Sequence, residues 1–238
     1  MLEMVETRMS EAPSQQKQFK FLGIITVLYV TLQLVSDVTA GKIIQVIGFP
    51  VSITVIYFPL TYIFADVLTE VYGYATGRRV LWTVLLCSVL AAALYQFVVY
   101  LPPAPGFEKN AGYVQVFGQV PRVVIGSWVA IFVGEIFNNY VMAKMKVWTE
   151  GKHLWSRLVA STVFGQFVNT ALFYSIALYG VLPTNLLIDS ILSGWLIKVV
   201  VEVALIPVTY WIVAKLKKIE HEDFFDRKTD FNPFVIGH

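Results

Sequence analysis

Apolar and polar positions alternate along the chain in long blocks. Six hydrophobic runs stand out, at about 20–40, 51–73, 80–100, 121–143, 158–178 and 188–213, with short polar connections between them. Each is long enough to cross the roughly 30 Å of a bilayer's hydrocarbon as a helix. The pattern therefore predicts an all-α integral membrane protein: a six-transmembrane-helix bundle forming one domain over 20–213, flanked by polar tails at 1–19 and 214–238. Turn chemistry fits the intervals. Gly41 and Pro50 bracket the first connection, YATGRR reads as a tight turn, and LPPAPG opens the longest connection. Pro59 in the second run predicts a kink or break, because it lacks an N–H and crowds the carbonyl of Val55. Pro207 could act likewise in the last run.

Charge orients the bundle. Arg8, Lys17, Lys20, Arg78, Arg79, Lys144, Lys146, Lys152, Arg157, Lys215, Lys217, Lys218, Arg227 and Lys228, fourteen of the 18 basic residues, fall on one side of the predicted spans. Lys42, Lys109 and Arg122 fall on the other side, and Lys198 lies within a span. By the positive-inside rule both the N and C termini are expected to be cytoplasmic, which agrees with an even number of crossings. Three spans in each half permit an inverted repeat, although the halves share no visible sequence similarity.

With 57% hydrophobic and 14% charged residues, the composition excludes a soluble domain and gives no reason to expect a nucleic-acid partner. Cys87 is the only cysteine and falls in a span, so no intrachain disulfide can form. The segment MLEMVETRMSEAPSQQKQ has three glutamates and no apolar centre, which makes it a polar tail and not a signal peptide. The tail IEHEDFFDRKTDFNPFVIGH mixes acidic and aromatic residues and reads either as packed against the inner surface or as loose.

The candidate chemistry is what the spans should not contain. A charge at the bilayer centre costs about 2.5–3.5 kcal/mol on the insertion scale, so an ionisable residue there is a functional candidate. Asp66 of the second run, Glu135 of the fourth, Gln166 and Asn169 of the fifth, and Lys198 and Glu202 of the sixth occupy one slab near mid-depth, with Glu70 about a turn from the inner boundary. Unpaired against lipid they would be costly, so they are expected to converge on an interior cavity. At helical spacing Tyr62, Asp66 and Glu70 share a face, as do Trp128, Phe132, Glu135 and Asn139. Arg157, Ser161, Gly165 and Asn169 recur every four residues, a small-residue surface suited to close helix approach or to plain packing. Plainer readings stand beside the functional ones. Lys198 and Glu202 could neutralise each other, Glu70 could snorkel or pair with Arg78 or Arg79, and Asp37 could be a wet residue near an entrance. His153, His221 and His238 lie outside the spans, no metal-ligand spacing appears, and no cofactor is called for.

Several motifs resemble a known family. FPLTYIFADVLTEVYG, GE-x-x-N, KMKVWTEGKHLW-x-R, ST-x-x-GQ-x-x-N, K-x-x-x-E-x-x-x-x-P and TDFNPF, spread from the second span to the tail, are similar to those of the queuosine precursor transporters, or VUT family. The resemblance implies a multi-pass importer in the cell's inner membrane for 7-cyano- and 7-aminomethyl-7-deazaguanine. It departs from the family pattern at Asn169, where aspartate is expected, and at Asp37, where asparagine is expected.

Under that reading the partners are the lipid bilayer and a small purine-like substrate, with a homodimer left open. Glu135 or Asp66 would take the donor edge of the ring, Gln166 and Asn169 the carbonyl side, and Phe132 or Trp128 would stack. Lys198 would meet the carbonyl or hold a carboxylate ionised. Glu70, Glu202 and Asp37 are candidates for gating or proton coupling, against which binding alone and facilitated diffusion stand as alternatives. Rival functions are the substrate-binding subunit of an energy-coupling-factor vitamin importer and an intramembrane enzyme. The first run lacks an Ala-x-x-x-Ala surface, and the chain lacks a Gly-x-Ser-x-Gly elbow.

Overall fold

The computed structural model describes residues 19–46, 48–180 and 183–234. The polar tail expected over 1–19 lies outside them apart from Phe19. The elements are α1 (Leu22–Thr39), a hairpin of β1 (Ile43–Val46) and β2 (Phe49–Ser52), α2 (Thr54–Val67), α3 (Tyr74–Tyr100), α4 (Asn110–Phe117), α5 (Val120–Trp148), α6 (Leu154–Phe173) and α7 (Thr184–Glu220). A π-helical turn extends α2 over Leu68–Tyr72, and another extends α6 over Tyr174–Leu178. Among the described residues five stretches are long and apolar enough to cross a membrane: α1, α2 with its π turn, α3, α4 joined to α5, and α7. The chain is thus a multi-pass, mainly α-helical membrane protein. The more polar α6 runs alongside them.

Burial separates the helices into centre and periphery. Of the apolar stretch in α2, 78% is buried, against 28% in α1, 17% in α3 and 22% in α7. The helix that carries Asp66 is therefore the one wrapped by the others, where lipid cannot reach it. Around it α1 packs on α3, α3 on α5, α5 on α6 and α6 on α7, while α2 itself touches α1, α5 and α7. The closest crossing is between α5 and α6. A Cβ at Gly134 would lie 2.8 Å from Asn169 Cβ, and one at Gly165 would lie 3.2 Å from Asn138 Cβ. The repeating small residues of α6 are a packing surface for α5.

Local expectations change in four places. Pro50 does not bound a loop: it sits in β2 opposite Gln45, in a two-stranded ribbon that turns at Gly48 with φ +86°. The β-branched residues Ile43, Ile44, Val46 and Val51 favour this extended pairing, and the ribbon adds β structure to the expected all-α bundle. YATGRR is not a turn. The chain reverses at Gly73 alone (φ +87°), and Tyr74 to Arg79 already belong to α3. Only glycine fits there, since a Cβ would also meet the Phe224 ring at 2.3 Å. Pro59 does not break α2, which continues through it; the irregularity comes after Asp66, in the π turn.

The tail after α7 is ordered as a strap. The Phe224 N–H donates to the Val71 carbonyl at 3.3 Å, and the Tyr74 N–H donates to both Asp226 oxygens at 3.1 and 3.2 Å. Arg78 donates to the carbonyls of Asp230 (2.8 Å) and Asn232, and Trp82 Nε1 to that of Pro233 (3.0 Å). The strap closes the end of the bundle where α2 turns into α3.

Candidate functional site: a buried polar core

The polar side chains of α2, α5, α6 and α7 meet in the interior, joined by Tyr29 of α1. Asp66 Oδ1 accepts a hydrogen bond from Asn138 Nδ2 at 2.9 Å. Glu202 accepts from the Thr162 hydroxyl and from Gln166 Nε2, the latter at 2.9 Å. Lys198 Nζ donates to Thr170 Oγ1 at 3.2 Å and lies 4.1 Å from the centre of the Phe58 ring. The Tyr29 hydroxyl faces Glu135. Asp66, Glu135 and Glu202 lie close enough to repel one another. All of these side chains are buried, none more than 4% exposed.

Satisfaction is incomplete. Among the described residues, Tyr62 Oη, Glu135 Oε2, Asn138 Oδ1, Gln166 Oε1 and both polar atoms of Asn169 are buried without a hydrogen-bond partner. Buried polar atoms in native proteins are overwhelmingly paired, by protein or by bound molecules. These six orphans come from α2, α5 and α6. Donors and acceptors are both present, together with three carboxylates and one ammonium. No three His, Cys, Asp or Glu side chains gather to hold a metal ion among the described residues.

The structure brings together Asp66, Glu135, Gln166, Asn169, Lys198 and Glu202, and it sets the other sequence candidates elsewhere. Trp128 and Phe132 turn toward α3, 5.8 and 5.6 Å from the Trp82 ring, with Trp128 Nε1 bound to the Leu85 carbonyl at 3.0 Å. The rings bordering the core are Phe58 and Tyr62. Among the described residues no direct ion pair joins Lys198 to Glu202: each makes its hydrogen bonds to α6, although their charges lie close enough to attract.

Glu70, inside the π turn, makes its hydrogen bonds in an ion cluster and not with the core side chains. Among the described contacts Arg78 turns instead to the strap. Arg157 holds Glu70 with two hydrogen bonds, of 3.1 and 2.8 Å, Lys217 approaches to 2.6 Å and Lys146 to 3.4 Å. Lys146 and Lys217 also grip Asp223 of the strap, at 2.6 and 2.9 Å. Although partial burial opposes ionisation, these two ammonium groups hold the Asp223 carboxyl below its ordinary range. Asp37 lies apart as well, near the hairpin end of α1. Sequence reasoning missed Tyr29, Asn138, Thr162 and Thr170 as core residues, because polar neutral residues and a tyrosine are common in membrane helices and only their convergence distinguishes them.

The profile of a family described as "Putative vitamin uptake transporter" matches residues 52–212, which hold all the core residues except Tyr29. The chain belongs to this family. It is a membrane transporter and not an enzyme, so the intramembrane-enzyme reading falls. Relatives of the transporter include a "Probable queuosine precursor transporter" of Bacillus subtilis, 26% identical over 81% of each chain. A "Queuosine precursor transporter" of Escherichia coli is 22% identical over 70% of this chain and 72% of its own. No solved structure matches the transporter.

Proposed function

We propose that this transporter imports queuosine precursors, the 7-cyano and 7-aminomethyl 7-deazaguanines, through the buried polar core. The observation that supports the reading is the set of six unpartnered polar atoms between α2, α5 and α6. The printed names of the relatives supply the substrate class. A 7-deazaguanine carries N–H and amino donors on one edge, a carbonyl nearby and flat apolar faces. Glu135, with Oε2 free, and Asp66 suit the donor edge, since a carboxylate accepts two donors at once. Asn169, whose amide has both polar atoms free, suits the carbonyl side, with Gln166 beside it offering its free Oε1 to a neighbouring N–H, and Lys198 either donates to the carbonyl or keeps a neighbouring carboxylate ionised. Phe58 and Tyr62 border the guest directly, with Trp128 and Phe132 one layer behind.

In this reading α6 is the fifth of six crossings, residues 20–213 form the membrane domain, and both termini face the cytoplasm of a cell whose inner membrane holds the protein. Alanine in place of Asp66, Glu135 or Gln166 is expected to abolish uptake of either precursor while the variants still insert in the membrane. Normal uptake by all three would sink the assignment. Transport into vesicles is expected to fall when the proton gradient is collapsed; unchanged transport excludes proton coupling and leaves facilitated diffusion.

A further inference from the structure

A second buried polar constellation lies nearer the hairpin end, between α1, α3 and α5. Gln33 and Asp37 of α1, Ser88 of α3 and Ser127 of α5 are each no more than 3% exposed. Asp37 Oδ1 accepts from Gln33 Nε2 at 2.8 Å, and the hydroxyls of Ser88 and Ser127 turn toward the carboxylate. Asp37 Oδ2 and Ser88 Oγ have no hydrogen-bond partner. The groups facing Asp37 are neutral: α3 offers Ser88, α5 offers Ser127, its own helix offers Gln33, and α2 offers no charged group among the described contacts. The nearest ionisable contact of the polar core, Tyr29 with Glu135, lies eight residues away on both α1 and α5, or about 12 Å along each helix. The two constellations are therefore separate.

A lone carboxylate in a low-dielectric interior is costly unless a positive charge accompanies it. Here the free Oδ2 of Asp37 meets the hydroxyl oxygens of Ser88 and Ser127 from two further helices, while Gln33 orients the carboxylate through Oδ1, and the only negative charge is that of Asp37. Calcium takes six to eight oxygens and more charge than this set provides. We propose that Asp37, with Gln33, Ser88 and Ser127, forms a site for one monovalent cation, Na⁺ or H⁺, distinct from the substrate core. A cation bound there ties α1, α3 and α5 together and so favours the helix arrangement that sets Tyr29 against Glu135. The inference does not depend on the identity of the substrate.

The test needs no substrate. Thermal unfolding of the purified full-length protein is followed as Na⁺ replaces N-methylglucamine at constant ionic strength, and separately as pH is varied between about 5 and 8. Wild type is expected to be stabilised saturably by Na⁺. D37N should lose the response, and S88A/S127A should shift its midpoint about tenfold upward. A wild-type pH transition that D37N lacks, with no effect of Na⁺, identifies the cation as a proton and also supports the site. Equal responses of wild type and D37N to both ions overturn it. If D37N does not fold, unaltered Na⁺ and pH responses in S88A/S127A overturn it equally.

Discussion

Arg157 shows what a single side chain does in this interior. It is 1% exposed, binds both oxygens of Glu70, and spends a further N–H on the Lys152 carbonyl at 2.7 Å. A bidentate guanidinium–carboxylate contact is geometrically demanding, and breaking one when buried costs about 3–5 kcal/mol because the remaining charge is stranded. Arg157→Ala is expected to lower stability by about that amount, and Arg157→Lys to restore only part. Adding Glu70→Gln to Arg157→Ala should cost less than the two single losses combined, which a double-mutant cycle of unfolding measurements would reveal. In the sequence Arg157 reads as one more basic residue beside the membrane. Its partner is 87 positions away, and no spacing rule reaches that far. Asp66 and Glu135, by contrast, are visible as candidates in the sequence because a carboxylate inside an apolar run is conspicuous without knowledge of its neighbours.

At the scale of elements, the α5–α6 crossing controls the core. Asn138 and Asn169 lie across it, and each packs against a glycine of the opposite helix. Gly134→Val would push the two backbones apart, at a cost of about 1–3 kcal/mol for overpacking, and would displace Asn169 from its place against Gly134. Unfolding measurements should show the stability loss, and precursor binding should weaken beyond what the lost stability explains. If binding to the folded fraction is unchanged, the crossing does not position the site. The helices themselves are largely legible in the sequence, since long apolar runs leave few alternatives. The hairpin is not, because strands of four residues carry too little periodicity to stand out beside membrane spans. The π turn after Asp66 escapes for a different reason: its hydrogen bonds depend on what Thr69 and Glu70 meet on α5 and α6, such as Asn139, which Thr69 Oγ1 reaches at 2.9 Å.

For the whole molecule, the strap links the end of α7 to α2, α3 and α5. Its anchor at Asp223 is an acid held ionised by Lys146 and Lys217, and its carboxyl lies below the ordinary range in the folded state. Such a group adds stability fully at neutral pH and loses its contribution as pH falls through the lowered value. The strap is therefore expected to stay attached through the neutral range and to loosen only below the ordinary carboxylate range. Limited proteolysis of the tail checks this, and Asp223→Asn should show at neutral pH the release that wild type shows in acid. Removing residues 222–238 is expected to lower the unfolding temperature, because Arg78 and Lys146, each under 5% exposed, lose carbonyl and carboxylate partners. An unchanged unfolding temperature would mean the strap is a passenger.

The sequence by itself determined that the chain belongs in a membrane, where most helices run, and which carboxylates, amides and lysine stand out inside the spans. These follow from transfer energies of single residues, which act whatever the neighbours are. Tertiary structure alone decided that α2 stands at the centre, that Glu70 belongs to an ion cluster and not to the core, that Lys198 and Glu202 have separate partners, and that Tyr29 and Asn138 complete the site. Those outcomes depend on which faces of distant helices meet, and hydrogen bonds and ion pairs a few ångströms long register such contacts only once the chain has folded.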